Sequence, residues 1–190
     1  MRTFIAIELP EEIREALGKI QEELKRSGAD VKWVTPKNIH LTLKFLGDLN
    51  EKKLPQIKEV LDEVVRNKTT FPIRFSTLGA FPKIDSPRVI WVGIDQGDSE
   101  TKAIACELEE KIAKIGIPKE KREFSSHITL GRTRSDKNLD GLVEEIKKLE
   151  NLWVGKNPEC LIKTITLFQS SLSPLGPTYA TLKEASLKTT

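Results

Sequence analysis

The stretch NIHLTLKFLGD, residues 38–48, and the stretch SSHITLGRTR, residues 125–134, share the pattern His, apolar residue, Thr, Leu. These two copies use both histidines of the chain, His40 and His127. With average residue usage, such a coincidence arises by chance on the order of once in ten thousand chains. The repeat therefore indicates a chain built from two related halves, each organised around one copy of the pattern.

The segments that precede the two copies follow the same plan. TFIAIEL (residues 3–9) is typical of a strand, and the apolar positions of residues 11–26 recur at helical spacing. RVIWVGID (residues 88–95) and residues 99–116 repeat this strand and helix before the second copy. Ile5 lies 35 positions before His40, and Ile90 lies 37 positions before His127, so the spacing agrees with a duplicated strand-helix-strand unit.

Further elements complete each half of the predicted fold. Apolar spacing predicts helices over residues 51–65 and about 138–149. Three β-rich runs predict additional strands: PIRFSTLGAF, CLIKTITLFQSSLS and TYATLKEASL. We predict an α+β fold with two pseudo-symmetric strand-helix-strand halves, whose antiparallel sheets face a central cleft. Residues 1–190 are expected to form one bilobal domain with a shared core.

Composition limits the possible classes of protein. The 190 residues are 38% hydrophobic and 31% charged, and no apolar run is long enough to span a membrane. The first residues do not resemble a signal peptide, so we expect a cytoplasmic protein that does not bind membranes and is a monomer. A net charge of +3 is too small for a dedicated nucleic-acid binder, and two isolated cysteines do not indicate a zinc site.

Strand alternation predicts where the repeated side chains point. On a strand, His40 and Thr42 share one face, and so do His127 and Thr129. The apolar residues between them are expected to pack on the helices, which leaves the imidazoles and hydroxyls of both halves facing one cleft. The same alternation places Lys44 on the face of His40 and Thr42, so it is a candidate for the cleft. The alternative is that Lys44 is a solvated surface lysine.

Two imidazoles beside two hydroxyls suit cleavage of a phosphodiester without a metal. One neutral imidazole accepts a proton while the other donates one, and hydroxyl or cationic groups hold the phosphate oxygens. Three alternatives stay open: duplicated structural histidines, a metal hydrolase, and a module that binds RNA ends or nucleotides without turnover. A metal site would need a further ligand, and Asp48 and Asp136 lie far along the chain from the histidines.

HLTL at residues 40–43 and HITL at residues 127–130 resemble the paired motifs of the two-histidine phosphoesterase superfamily. With FIAIELPEEIREAL and WVTPKNIHLTLKFLGD, they resemble more narrowly the RNA 2′,3′-cyclic phosphodiesterases, also called 2′-5′ RNA ligases. This resemblance spans nearly the whole chain. It implies a bilobal fold, no cofactor or metal, and an RNA substrate with a 2′,3′-cyclic phosphate end, such as tRNA halves or small cyclic nucleotides.

The resemblance also implies roles for five residues. His40 would donate a proton to the departing 3′ oxygen, and His127 would accept a proton from water. Thr42, Thr129 and Arg132 would hold the phosphate. The product would be a 2′-phosphate, and 2′-5′ ligation of RNA would be the reverse reaction.

Some positions remain open at the level of sequence. Strict alternation puts Arg132 on the face opposite His127, but a bulge at Gly131 would redirect it; the alternative is an ordinary surface arginine. The aromatic residues that could stack on a base are Trp33, Phe45, Phe81, Trp91 and Tyr179. Core packing is the favoured interpretation for most of these, above all for Trp91, and alternation assigns Phe45 to the core.

Overall fold

A computed structural model of the chain describes residues 1–150, 157–174 and 176–189. The elements in chain order are β1 (Arg2–Glu8), α1 (Glu11–Lys25), β2 (Val31–Trp33), a 3-10 helix (Pro36–Asn38), β3 (His40–Asp48), a second 3-10 helix (Glu51–Lys53), α2 (Leu54–Val65), β4 (Phe71–Lys83), β5 (Ser86–Gln96), α3 (Asp98–Lys114), β6 (His127–Thr133), α4 (Leu139–Leu149), β7 (Glu159–Ile162), β8 (Thr164–Ser173) and β9 (Gly176–Ser186). Both predicted strand-helix-strand units are present, as β1-α1-β3 and β5-α3-β6.

The strands form one curled antiparallel sheet in the order β7-β4-β5-β6-β3-β1-β8-β9, and β2 pairs with β6. The order is symmetric about the junction of β6 and β3. The first half contributes β3-β1-β8-β9, and the second half contributes β6-β5-β4-β7 in the matching order. The predicted α+β class and the two pseudo-symmetric halves are confirmed. The sheets of the two halves are joined edge to edge, where Leu41 pairs with Ile128.

One face of the sheet, called here the helix face, packs against the helices. Buried residues of both halves form a single apolar cluster there, which includes Ile5, Leu41, Ile90 and Ile128. The apolar spacing of α1 contributes residues such as Leu17, which is buried in the same cluster. Burial of this common apolar surface stabilises the two halves against each other.

The opposite face, called here the cleft face, carries a small second cluster. It contains Phe4, Ala6 and Phe168, with Tyr179 packed against them. The side chains on this face are therefore not all polar, and an aromatic group forms part of its floor in the first half.

The last strands of the sequence return to the first half. The run CLIKTITLFQSSLS was predicted as one strand, but it divides at Lys163 into β7 and β8. β7 pairs with β4 in the second half, whereas β8 pairs with β1 in the first half. The two parts of the run therefore belong to opposite ends of the same sheet. No helix among the described residues is long and apolar enough to cross a membrane.

Candidate active site

The two His-x-Thr patterns lie side by side at the junction of the halves. Leu41 of β3 pairs with Ile128 of β6 in antiparallel register. In that register, His40 is the cross-strand neighbour of Thr129, and Thr42 is the neighbour of His127, on the face opposite Leu41 and Ile128. Directly opposed residues of an antiparallel pair have Cβ atoms about 4.5–5.5 Å apart. Each histidine therefore stands beside the threonine of the other half.

Both motif strands carry a β-bulge immediately after the threonine. In the first half, Ala6 pairs with Thr42 and Ile5 pairs with Lys44, so that Leu43 is the additional residue. A bulge reverses the alternation of all residues that follow it. The sequence-based assignments for the residues after Thr42 therefore have to be corrected.

The second half contains the same bulge. Trp91 pairs with Thr129 and Ile90 pairs with Gly131, which makes Leu130 the additional residue. The Leu130 carbonyl accepts a hydrogen bond of 2.9 Å from the buried amide of Gln21 on α1. The irregularity is thus held by a specific side chain.

Lys44 does not point into the cleft, and it is not a solvated lysine. Its side chain is fully buried on the helix face, where Nζ lies 2.7 Å from Oε2 of Glu109 and donates to the carbonyl of Pro118. Phe45 consequently lies outside the core, so the position predicted for it is wrong. It is 55% exposed on the cleft face, with its ring 6.2 Å from that of Phe4.

Arg132 is the counterpart of Phe45 in the second half. The bulge at Leu130, directly before Gly131, turns the Arg132 side chain to the face of His127. From the sequence, Gly131 was expected to permit such a redirection. Lys32 of β2 pairs directly with Arg132, so both exposed cations share the cleft face. The positive charge of Arg132 is the smallest of the causes that act on the pKa of His127, and it lowers that pKa.

Gly131 has a separate steric role. A Cβ at this position would lie 2.7 Å from Cγ1 of Val31 and 2.9 Å from Cε3 of Trp33. Trp33 packs against the core on the helix face, as the favoured interpretation predicted. The glycine is needed because β2 packs closely over this position.

His40 lies in an apolar and aromatic environment. Its Nδ1 donates to the carbonyl of Asn38 at 2.7 Å, because a carbonyl can only accept, and this leaves Nε2 for chemistry. The imidazole lies 4.9 Å from the ring of Phe4 and meets Tyr179 edge-on at 5.4 Å. Burial lowers the pKa of His40, and the hydrogen bond to Asn38 opposes that shift.

His127 has the same backbone contact in a more open environment. Its Nδ1 donates to the carbonyl of Ser125 at 2.8 Å, so Nε2 is again the nitrogen that can titrate. The ring of Phe81 lies 5.1 Å away and is perpendicular to the imidazole. Burial is the main cause of the lowered pKa of His127, the Ser125 contact opposes it, and Arg132 adds to it.

Trp91 lies on the cleft face and not in the core, contrary to the sequence-based interpretation. Its indole ring is 6.5 Å from the imidazole of His127 and lies across Gly79, where a Cβ would come within 2.5 Å of the ring. The same ring would lie 3.1 Å from a Cβ at Gly93. Two glycines therefore make room for a flat aromatic floor in the second half.

A pocket of about 250 Å³ opens beside His40. Its lining combines aromatic, hydroxyl, amide and charged groups, from Glu8, Lys37, Asn38, Ile39, His40, Phe168, Thr178, Tyr179 and Thr181. Of the aromatic residues named from the sequence, only Tyr179 lines it. Lys37 and Glu8 were missed, although the position of Lys37 three residues before His40 was a signal that could have drawn attention to it.

The carboxylates that were weighed as metal ligands make other contacts. Asp136 lies 3.3 Å from Nη1 of Arg88, and Asp48 lies 4.0 Å from the amino group of Met1. Within residues 1–150, 157–174 and 176–189, no three His, Cys, Asp or Glu side chains are grouped so that they could hold a metal ion.

Comparison with known proteins places this geometry in a family. The model of the LigT-like phosphoesterase family matches residues 7–91 and again residues 92–179, and each match contains one copy of the His-x-Thr pattern. An RNA 2′,3′-cyclic phosphodiesterase of Archaeoglobus fulgidus is 38% identical over 184 residues, covering 96% of this chain and 98% of that protein. The enzyme class predicted from the sequence agrees with that name.

Solved structures give the same result. The protein TT0787 of Thermus thermophilus superposes with a TM-score of 0.81 and 28% identity, covering 100% of this chain and 99% of its own. LigT of E. coli, complexed with 3′-AMP, has a TM-score of 0.74 and 26% identity over 98% of this chain and 97% of its own. The resemblance seen in the two motifs is confirmed, and the chain belongs to the LigT-like phosphoesterase family.

Proposed function

We propose that this chain hydrolyses the 2′,3′-cyclic phosphate end of RNA to a 2′-phosphate by acid-base catalysis with two histidines. The observation that carries the proposal is the quartet of His40, Thr42, His127 and Thr129 on adjacent strands. Each imidazole is fixed at Nδ1 by a backbone carbonyl, which supports Nε2 as the atom that exchanges a proton. The names of the relatives support the choice of an RNA cyclic phosphate as the substrate.

The proposed reaction transfers one proton at each histidine. Neutral His127 accepts a proton from water, and the water oxygen attacks phosphorus. Protonated His40 donates its Nε2 proton to the departing 3′ oxygen as the bond from phosphorus to that oxygen breaks. Solvent then reprotonates His40 and removes the proton from His127. This pairing follows the family resemblance for the direction of the two roles.

Three further residues would stabilise the charge on the phosphate. Thr42 and Thr129 stand beside the two histidines in the cross-strand register, where hydroxyls can donate to non-bridging oxygens. Arg132 brings a permanent positive charge to the same face and forms no ion pair within the described residues. A nearby cation that favours the dianionic transition state fits this role.

Several finer points belong to the same proposal. The reaction needs no metal, because both proton transfers are assigned to imidazoles and a strained cyclic phosphate is a reactive substrate. Ligation of RNA through a 2′-5′ linkage, with tRNA halves as one substrate, is the reverse reaction with a 5′-hydroxyl in place of water. A cytoplasmic monomer with one bilobal domain over residues 1–190 remains our prediction.

The test is hydrolysis of an oligoribonucleotide that ends in a 2′,3′-cyclic phosphate, in excess chelator. We expect conversion to a 2′-phosphate at an undiminished rate after prolonged chelation. The same oligonucleotide with an open 3′-phosphate is the matched control, and it should remain unchanged. Loss of activity that one added metal restores would replace the metal-free mechanism by a metal-dependent one. Binding without ring opening would identify a binding module and refute the proposed hydrolysis.

A further inference from the structure

The surroundings of His40 and His127 differ at matching positions of the two halves. In the first half, Glu8 is the cross-strand neighbour of His40 and lines the pocket. In the second half, Gly93 is the neighbour of His127, and the Trp91 ring lies against it. An indole ring thus lies against the cross-strand neighbour of His127, whereas the cross-strand neighbour of His40 lines a pocket. The two sides of the cleft therefore offer different surfaces to a bound substrate.

We propose that this pocket holds the terminal nucleoside of the RNA, and that Lys37 at its rim binds the phosphate on the 5′ side of that nucleoside. The inference rests on the proposed function. In that function, His40 donates a proton to the 3′ oxygen of the terminal ribose. The 3′ oxygen of that ribose must therefore lie within hydrogen-bond reach of His40, and the pocket opens beside this residue.

The size and lining of the pocket fit one nucleoside. Its volume of about 250 Å³ lies below the roughly 300–1,000 Å³ of pockets for drug-sized ligands, a size that suits a single nucleoside. Phe168 and Tyr179 supply aromatic surface on which any base can stack. Thr178 and Thr181 add hydroxyl groups that suit the edges of a base or ribose.

The charges around the pocket select Lys37 for the next phosphate. Lys37 is exposed and, among the residues that the structure describes, has no carboxylate partner. Glu8, the acidic group of the pocket, lies 3.8 Å from Nη1 of Arg14 and is partly compensated. Because a nucleoside at an RNA end carries a phosphate on its 5′ side, an unpaired cation at the rim distinguishes an RNA end from a free nucleoside cyclic phosphate.

Lys32 and Arg132 form another cationic surface that the RNA chain could follow instead of passing Lys37. Lys32 and Arg132 are neighbours on the cleft face, and Lys32 has no carboxylate partner within the described part of the chain. They lie on β2 and β6, whereas the pocket lies against β1, β8 and β9. The two paths for the RNA chain can therefore be separated by substitution of Lys37 or Lys32.

The experiment compares two substrates that differ in one phosphate. Adenosine 2′,3′-cyclic phosphate is tested with and without a 5′-phosphate, and kcat/KM is measured for each. The wild type should prefer the 5′-phosphorylated form. Lys37→Gln should reduce that preference about tenfold, the scale of one lost charge-assisted phosphate contact. Lys52→Gln, in the middle of the other 3-10 helix and also exposed, is the matched control and should leave the preference unchanged.

A second readout uses oligonucleotides with a cyclic end. For these, Lys37→Gln should reduce the slope of log affinity against log salt by about 0.7, as expected for one phosphate of a single strand. Equal rates for both adenosine substrates in the wild type would overturn the inference and leave the proposed function intact. A loss of preference in Lys32→Gln instead of Lys37→Gln would also overturn it. If the wild type opens neither ring nor any cyclic oligonucleotide end, the proposed function itself is wrong.

Discussion

The two halves of the cleft share a backbone and differ in their side chains. Each half has a His-x-Thr strand, a bulge after the threonine and a hydrogen bond from Nδ1 to the carbonyl two residues earlier. The residues at matching positions have nevertheless diverged. The matched pairs, first half and then second half, are Glu8 and Gly93, Ala6 and Trp91, Lys44 and Gly131, and Phe45 and Arg132.

This divergence gives two chemically equal histidines different surroundings. His40 is held among aromatic rings beside an open pocket. His127 is less enclosed and lies near a cation. The duplicated backbone thus aligns the two imidazoles. Under the proposed function, the diverged side chains would suit one imidazole to the acid role and the other to the base role.

Removal of either histidine should have the largest effect. We expect His40→Ala and His127→Ala each to reduce kcat on a cyclic RNA end by about 10²- to 10⁴-fold, the range of general acid-base catalysis. An activated aryl phosphodiester sharpens the comparison, because a weakly basic leaving group needs no acid. On that substrate His40→Ala should recover most of its activity, and His127→Ala should not.

Circular dichroism and thermal unfolding are the controls for folding of both variants. Recovery of His127→Ala instead of His40→Ala would exchange the two roles. Equal and small losses, below about tenfold, would argue against acid-base catalysis by this pair.

Lys44 and Gly131, which directly follow the two bulges, should give the next largest effect, on stability. Lys44→Met leaves Glu109 without its partner, and loss of one member of a buried pair costs about 3 kcal/mol in the free energy of unfolding. Gly131→Ala introduces a Cβ against Val31 and should cost about 1–3 kcal/mol. Urea unfolding measures both values.

The double variant Lys44→Met with Glu109→Gln serves as the control for the ion pair. It should regain part of the stability that Lys44→Met loses, because the buried charge is removed together with its partner. If Lys44→Met unfolds at the same urea concentration as the wild type, the pair does not stabilise the first bulge.

Substitution of Arg132 should give the smallest effect, which is a shift in the pH profile of kcat/KM. Substitution of Phe45 provides the comparison. The pKa values of both imidazoles are lowered from 6.5, so the bell-shaped profile should reach its maximum below pH 6.5. His127 must be neutral as the base, so the rate falls as pH drops through its pKa. Arg132→Gln removes one cause of the lowered pKa and should move this limb to higher pH.

Phe45→Ala is the matched control, because it changes the corresponding position in the first half without removing a charge. Its pH limbs should coincide with those of the wild type. Arg132→Gln should also lower kcat/KM about tenfold through the lost phosphate contact. An unshifted limb in Arg132→Gln would show that burial alone sets the pKa of His127.

The duplicated plan of the fold could be predicted from the sequence, and so could the side chains that share the cleft. Period-two alternation within β3 and β6 places His40 with Thr42, and His127 with Thr129, without any tertiary information. Helical spacing likewise locates the buried positions of α1. These features depend on local periodicity, which a single sequence contains.

The positions beyond the bulges were not accessible in the same way. An additional residue such as Leu43 is visible only when the partner strand is known, and it reversed the assignments of Lys44 and Phe45. Trp91 was misplaced because an indole in an apolar strand is typical of a core, and the glycine opposite it on β4 is distant in sequence. The contact of Tyr179 with His40 depends on the pairing of β9 with β8 and of β8 with β1, two strands from opposite ends of the chain.

The route of the chain through the sheet has a consequence for synthesis on the ribosome. The strands of the second half, β4 to β7, emerge within one continuous stretch that ends at Ile162, so its sheet can assemble while later codons are still being read. The aromatic surroundings of His40 form later, because Phe168 and Tyr179 are translated after β7. In a nascent chain, the strands around His127 can therefore pair before the enclosure of His40 is complete. Premature termination before β8 would leave the edge of β1 open to association with other chains.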